Sequence, residues 1–281
     1  MSRNAVPATQ PPPDTEAVGS PALGEMTLRE HLAELRTRLV RIVLAVLAGA
    51  AVGWFLYDPV LEFLKQPYCD LPTAFRPEGP GGDCTLVVTR PLEGFAVRVK
   101  ISLVIGLFIA APILFFQIWK FVTPGLTEKE RRYTLPFVVT SQIVFLFGAA
   151  FAFYVIPKGL QILLALGGEH VSALLAAQEY FSFILTTVVA FGIVFEVPVL
   201  IVFLAAIGLV RSSQLRRFRP YAIVGNFAVA AIVTPTVDPV SMLFMAVPMV
   251  LLYEGAIVST WLMERARRRR ALTQAAGGSP A

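Results

Sequence analysis

The chain has 281 residues, of which 56 % are hydrophobic and only 15 % charged, with a formal net charge of +5 and a mean hydropathy of +0.69. Water-soluble domains carry about 25 % charged residues, so this composition excludes an ordinary soluble domain and points to the bilayer. No segment alternates apolar and polar residues over a strand's length, which excludes a closed transmembrane barrel.

In chain order, residues Met1 to Gly24 are rich in Pro and Ala and lack any core-forming pattern; they read as a disordered tail, and with no hydrophobic run after a basic start they are not a signal peptide. Thr27 and Glu30 form a capping-box pattern, and Leu28, Leu32, Leu35 and Leu39 recur at helical spacing. An amphipathic helix along the membrane surface, leading into the first span, is expected there. Six apolar segments follow: Ile42 to Tyr57, Ile101 to Trp119, Tyr133 to Ile156, Phe181 to Val210, Tyr221 to Val237 and Pro239 to Met263. The tract from Leu160 to Gly168 is too short to span and reads as a re-entrant or surface helix. The fold class is therefore an all-α membrane protein of six transmembrane helices, organised as a tail (1–24), a membrane domain (25–264) and a basic disordered tail (265–281).

Orientation follows from the basic residues. With both termini cytoplasmic, eighteen of the 24 Lys and Arg residues lie on the inner side and six on the outer, which fixes an N-in, C-in topology in the cell membrane. The positive charge is then a topology signal. Anionic lipid is the simpler partner for the run Arg267 to Arg270, and nucleic acid is not expected. Tyr221 to Val237 supplies about 25 Å of helix at 1.5 Å per residue, against a hydrocarbon core of about 30 Å. The fifth and sixth helices, joined through Thr234, Pro235 and Asp238, should therefore be short. Prolines at 112, 136, 198 and 248 suit kinked helices arranged as a concave scaffold.

One acid stands out. Thirty residues from Phe181 to Val210 carry a single ionisable side chain, Glu196, at the middle of the run. A carboxylate at that depth costs roughly 2.5 to 3.5 kcal/mol on insertion scales, so Glu196 is read as a functional intramembrane group, against the plainer alternative of a hydrogen-bonded packing residue. Glu254 in the sixth segment is a second buried acid, for which both readings stand open. Cys69 and Cys84 fall in one outer loop dense in Pro and Gly, where an oxidising compartment makes a stapling disulfide plausible. His31 and His170 lie far apart, so no metal site is expected. No phosphate-cradling loop, zinc-binding His pair or nucleophile with its base is present; neither enzymatic activity nor a cofactor is expected.

Several blocks then carry a family resemblance: HLAELRTRL (His31 to Leu39), FQIWKFVTPGLTEKERR (Phe116 to Arg132), FGIVFEVPV (Phe191 to Val199), RRFRPYAIVGNFAVAAIVTPTVDPVSM (Arg216 to Met242) and PMVLLYEG (Pro248 to Gly255). In this order and spacing they resemble TatC, the multispanning subunit of the twin-arginine protein translocase. The resemblance implies a receptor for signal peptides bearing two consecutive arginines, which assembles with single-span TatA/TatB-type subunits, and with further copies of itself, to export folded proteins on the proton-motive force. It further implies a signal-peptide site at Glu34 and Glu130, with His31, Arg36, Phe121, Pro124, Arg131 and Arg132 around it and Arg38 at its border. Partner contacts are implied at Glu196, Thr234 and Asp238. Met242 departs from the Gln of many relatives, and the Cys69 to Cys84 insert departs from members that lack cysteines. Independently of the family, two carboxylates on neighbouring elements suit two adjacent guanidinium forks, which lysine cannot reproduce. The alternative function is a secondary transporter or channel with Glu196 and Glu254 as mid-membrane ion sites. Against it, no inverted repeat is evident.

Overall fold

The apolar runs fold into helices that outreach the sequence pattern. In the computed structural model the described residues are 28–71, 84, 86–122, 134–166, 176–233 and 239–277. They form seven helices: α1 (Leu28–Phe55), α2 (Tyr57–Cys69), α3 (Glu93–Val122), α4 (Thr134–Leu166), α5 (Ala177–Ala206), α6 (Ser212–Val233) and α7 (Pro239–Gly277). Among the described residues the only β pairing is an isolated bridge between Val87 and Ala176. Five stretches, within α1, α3, α4, α5 and α7, are long and apolar enough to cross a membrane. The chain divides into two compact units, Met1–Thr37 and Arg38–Ala281. The described part of the first is the opening of α1; everything that follows belongs to the second.

Several boundaries differ from the sequence expectation. Leu160 and its apolar neighbours do not form a separate re-entrant helix, because α4 runs through Pro157 to Leu166. A proline removes one backbone bond, which a long helix in apolar surroundings tolerates. Pro136 sits in the first turn of α4, where its missing N–H would have had no helical partner, so it gives no reason for a kink. The segment expected as one outer loop from Asp58 to Arg98 contains α2 and the first turns of α3. α7, expected to be short, is the longest helix at 39 residues and carries the arginine run within it to Gly277. Arg, Ala, Leu and Gln are strong helix formers, so charge did not end the helix there. By contrast α6 spends its first two turns on Arg216, Arg217 and Arg219, and its apolar part begins only at Tyr221.

The core is built on α3, α4 and α5, with α7 packed on α5 and α6 packed chiefly on α7. Without a hydrophobic driving force between helices in lipid, close backbone approach matters more than bulk. The α4–α5 contact shows how. A Cβ at Gly192 would stand 2.6 Å from the Phe145 ring, and one at Gly148 would stand 2.9 Å from Phe195. Each helix thus offers a glycine to the other's phenylalanine.

One end of the bundle is a cap made of α2, the α3 N-terminus, the α4 C-terminus and the α5 N-terminus. Tyr68, Ile101, Leu160 and Tyr180 are buried together there, and the Tyr180 hydroxyl donates to the Leu64 carbonyl at 2.9 Å. Cys69 and Cys84 form a disulfide across this cap, with Cα atoms 5.6 Å apart. The carboxylate of Glu93, 2 % exposed, accepts from the Thr89 N–H at 2.7 Å, the Thr89 hydroxyl at 3.0 Å, the Arg90 N–H at 3.1 Å and the Gln178 N–H at 2.7 Å. A single acid therefore ties the start of α3 to the start of α5. Arg98 stacks on Trp54 and Tyr57 at 4.6 and 4.8 Å from the ring centroids. Burial pushes the Tyr57 hydroxyl above its ordinary pKa, while the nearby guanidinium opposes that rise.

Candidate functional site

The sequence singles out Glu196, and its surroundings within the bundle explain how the chain keeps a carboxyl group there. Glu196 lies on α5, half-buried, and its partner is Ser141 on α4, whose hydroxyl donates to the carboxylate. The Ser141 oxygen in turn accepts from the Trp119 indole N–H at 3.0 Å. Both partners are buried, so the indole, the hydroxyl and the carboxylate form a short polar relay across α3, α4 and α5. The second oxygen, Oε1, is buried without a hydrogen-bond partner. Next to it opens a cavity of about 460 Å³, walled by apolar side chains such as Leu107, Phe115, Ile193 and Leu200. An acceptor without a donor, facing an apolar recess, is suited to a donor brought in by another molecule; leaving such a group unmet costs about 1–3 kcal/mol.

Ser141 and Trp119 were not legible as site residues. A serine or a tryptophan inside an apolar run gives no periodic signal, and only the spatial neighbourhood of Glu196 reveals them.

Glu254 differs from the expectation of a buried acid. It lies on α7, 34 % exposed, and makes an ion pair with Arg219 of α6 at 2.6 Å. The apolar segment read from the sequence starts at Tyr221, beyond Arg219, whereas α6 begins at Ser212 and includes Arg219 within the helix. Two further polar contacts join the same helices. Tyr253 donates its hydroxyl to the Leu215 carbonyl at 2.9 Å. Glu264 accepts from the Ser212 N–H at 2.8 Å and its hydroxyl at 2.6 Å, which caps the start of α6.

Of the residues implied for peptide recognition, Glu34 and Arg36 lie in the opening stretch of α1, half-buried and exposed respectively, and Phe121 is half-buried in the last turn of α3. Arg38, one position into the second unit, is 7 % exposed, with its guanidinium 3.4 Å from both the backbone oxygen and the side-chain oxygen of Gln117. Burial of this arginine was not foreseen; it acts as a link between α1 and α3. The His31 side chain and Pro124, Glu130, Arg131, Arg132, Thr234 and Asp238 lie outside the described residues, as does the tail 1–24.

Long apolar helices, a carboxylate held at mid-helix on a polar relay, and arginines gathered at one end define a polytopic helical membrane protein. Residues 30–248 match the family profile described as Sec-independent protein translocase protein (TatC). The chain is 42 % identical over 249 residues to the TatC protein of Frankia casuarinae, covering 87 % of this chain and 68 % of that one. It is 40 % identical over 263 residues to that of Xylanimonas cellulosilytica, covering 92 % and 94 %. Two crystal structures titled as the twin-arginine translocase receptor TatC superpose with TM-scores of 0.69 and 0.70 at 36 % identity. They cover 83 % and 82 % of this chain and 99 % and 98 % of theirs. This chain belongs to the TatC family.

Proposed function

We propose that this chain is the signal-peptide receptor and core subunit of a twin-arginine translocase, exporting folded proteins on the proton-motive force. It would cross the cell membrane six times, α6 supplying the sixth crossing with the five apolar helices, with both termini cytoplasmic. What carries the reading is the likeness, across more than four-fifths of the chain, to solved structures titled as that receptor.

In mechanism, Glu34 and Glu130 accept the two guanidinium forks of the signal peptide, with His31, Arg36, Phe121, Pro124, Arg131 and Arg132 shaping the same surface. Glu196 then offers its open carboxylate oxygen to a polar side chain or backbone donor of the inserted signal segment or of a single-span partner helix, beside the apolar cavity. Thr234, Asp238 and the edge of α6 are the proposed contact for TatA/TatB-type subunits. Arg219 already engages Glu254, so Glu254 is assigned to holding α6 on α7.

Binding of a fluorescent twin-arginine peptide to the protein in nanodiscs tests the assignment. Glu34→Gln and Glu130→Gln should each weaken binding by about tenfold, the loss of roughly one charge-assisted hydrogen-bond pair, and a twin-lysine peptide should bind more weakly than the twin-arginine one. Equal affinities for wild type and both variants would remove the docking assignment. Restored export of a folded twin-arginine reporter in cells lacking their own receptor tests the broader role.

A further inference from the structure

At the end of the bundle opposite the cap, a cleft of about 670 Å³ lies where the end of α5, the start of α6 and the last third of α7 meet. Four arginines line it: Arg211 just before α6, and Arg265, Arg267 and Arg268 on α7. Glu264 is the acid among the described lining residues, and both of its oxygens are turned to Ser212. One negative charge against four leaves the cleft an excess of three positive. Arg267 donates to the Ala206 carbonyl at the end of α5, which assigns it to holding the walls together. Arg265 rests over the Trp261 ring, 5.3 Å from its centroid, a stacking that orders a long side chain at low entropic cost.

An apolar rim adjoins the lining in sequence: Trp261 in the cleft wall, Leu209 between the lining residues Gly208 and Val210, and Leu262 next to Trp261 are all exposed, and α7 carries a candidate span from Met242 to Arg270. A small free anion would use the arginines and leave this rim untouched. An amphiphile with an anionic head uses both, and basic pockets between helices at a membrane surface are suited to such heads.

We propose that this cleft binds the phosphate headgroup of an anionic lipid, with Arg211, Arg265 and Arg268 as the phosphate donors and the Trp261–Leu262 surface as the seat of the acyl chain. The inference rests on α7 spanning the membrane and is independent of any signal-peptide site. Guanidinium forks match phosphate oxygens in pairs, so three of them around one recess select a phosphodiester carrying net negative charge over a zwitterionic one.

Native mass spectrometry of the full chain in neutral detergent, titrated with phosphatidylglycerol or phosphatidylcholine, reads this directly. Wild type should retain phosphatidylglycerol preferentially. Arg211→Gln with Arg268→Gln should cut the retained fraction by about tenfold, while Arg269→Gln with Arg270→Gln, which removes the same charge from α7 outside the cleft, should leave it unchanged. Equal losses in the two double variants would overturn the site in favour of diffuse attraction by the arginine run. Equal retention of the two lipids would overturn it as well. Displacement of phosphatidylglycerol by millimolar inorganic phosphate would show a free-anion site and overturn the lipid assignment. If the first double variant melts in detergent, Arg265→Gln, whose guanidinium stacks on Trp261, set against Arg269→Gln alone gives the comparison with one charge removed from each.

Discussion

Glu93 in the cap and Glu196 in the middle of α5 are both carboxylates withdrawn from water, and they are treated in opposite ways. Glu93 accepts four hydrogen bonds from Thr89, Arg90 and Gln178, so its lone pairs are used within the chain. Glu196 receives one donor, Ser141, and its other oxygen is left without a partner against an apolar cavity. An acid surrounded by its own donors fixes a fold, whereas an acid left one donor short keeps the capacity to accept another hydrogen bond. The contrast marks Glu93 as a stabilising carboxylate and is the ground on which Glu196 is proposed as a working one.

The sharpest way to break that contrast is Glu93→Ala. It strands the N–H groups of Thr89, Arg90 and Gln178 at once, and it should give the largest fall in melting temperature of any single carboxylate substitution, read by thermal unfolding in detergent. A melting temperature equal to wild type would mean that the cap does not depend on this acid. Next in size is Cys69→Ser with Cys84→Ser. The bridge closes a separation of 15 residues, for which chain-entropy arguments give about 3 kcal/mol, and the loss should show as faster proteolysis near α2. Ser141→Ala should cost about 2 kcal/mol, since it deprives both the Trp119 indole and Glu196 of their partner. A shift of the Trp119 emission maximum to shorter wavelength would report the lost indole hydrogen bond, after the other two tryptophans are replaced. Smallest in stability is Glu196→Gln, at most about 1 kcal/mol, because the amide still meets Ser141. Its effect should appear in transport of a folded twin-arginine reporter. Unchanged export with an unchanged melting point would return Glu196 to the packing role.

How much of this could be read beforehand depends on whether the cause was local. The long apolar runs and the lone charge at position 196 are local contrasts, and both were visible. The extent of α7 was not, because the segment after Met263 has helix-forming residues but no apolar stripe to announce a packed face. Ending the third segment at Ile156 misled for the converse reason: Pro157, a local breaker, is carried inside α4 by its surroundings. The Glu93 staple depends on Gln178, 85 positions away, and the Arg219–Glu254 pair on residues 35 apart. Contacts of that separation leave no mark in spacing. Ser141 was hidden most completely, since one hydroxyl in a span carries no pattern until its neighbour is known.

The attachments between α6 and α7 bear on how force passes through the molecule. Glu264 grips the first residue of α6, Tyr253 holds the carbonyl of Leu215, and Glu254 catches Arg219, while the turn before α6 contains Gly208 at φ +83°. These three attachments fall within the first two turns of α6, at Ser212, Leu215 and Arg219, so a load placed on the start of α6 is shared at once with α7.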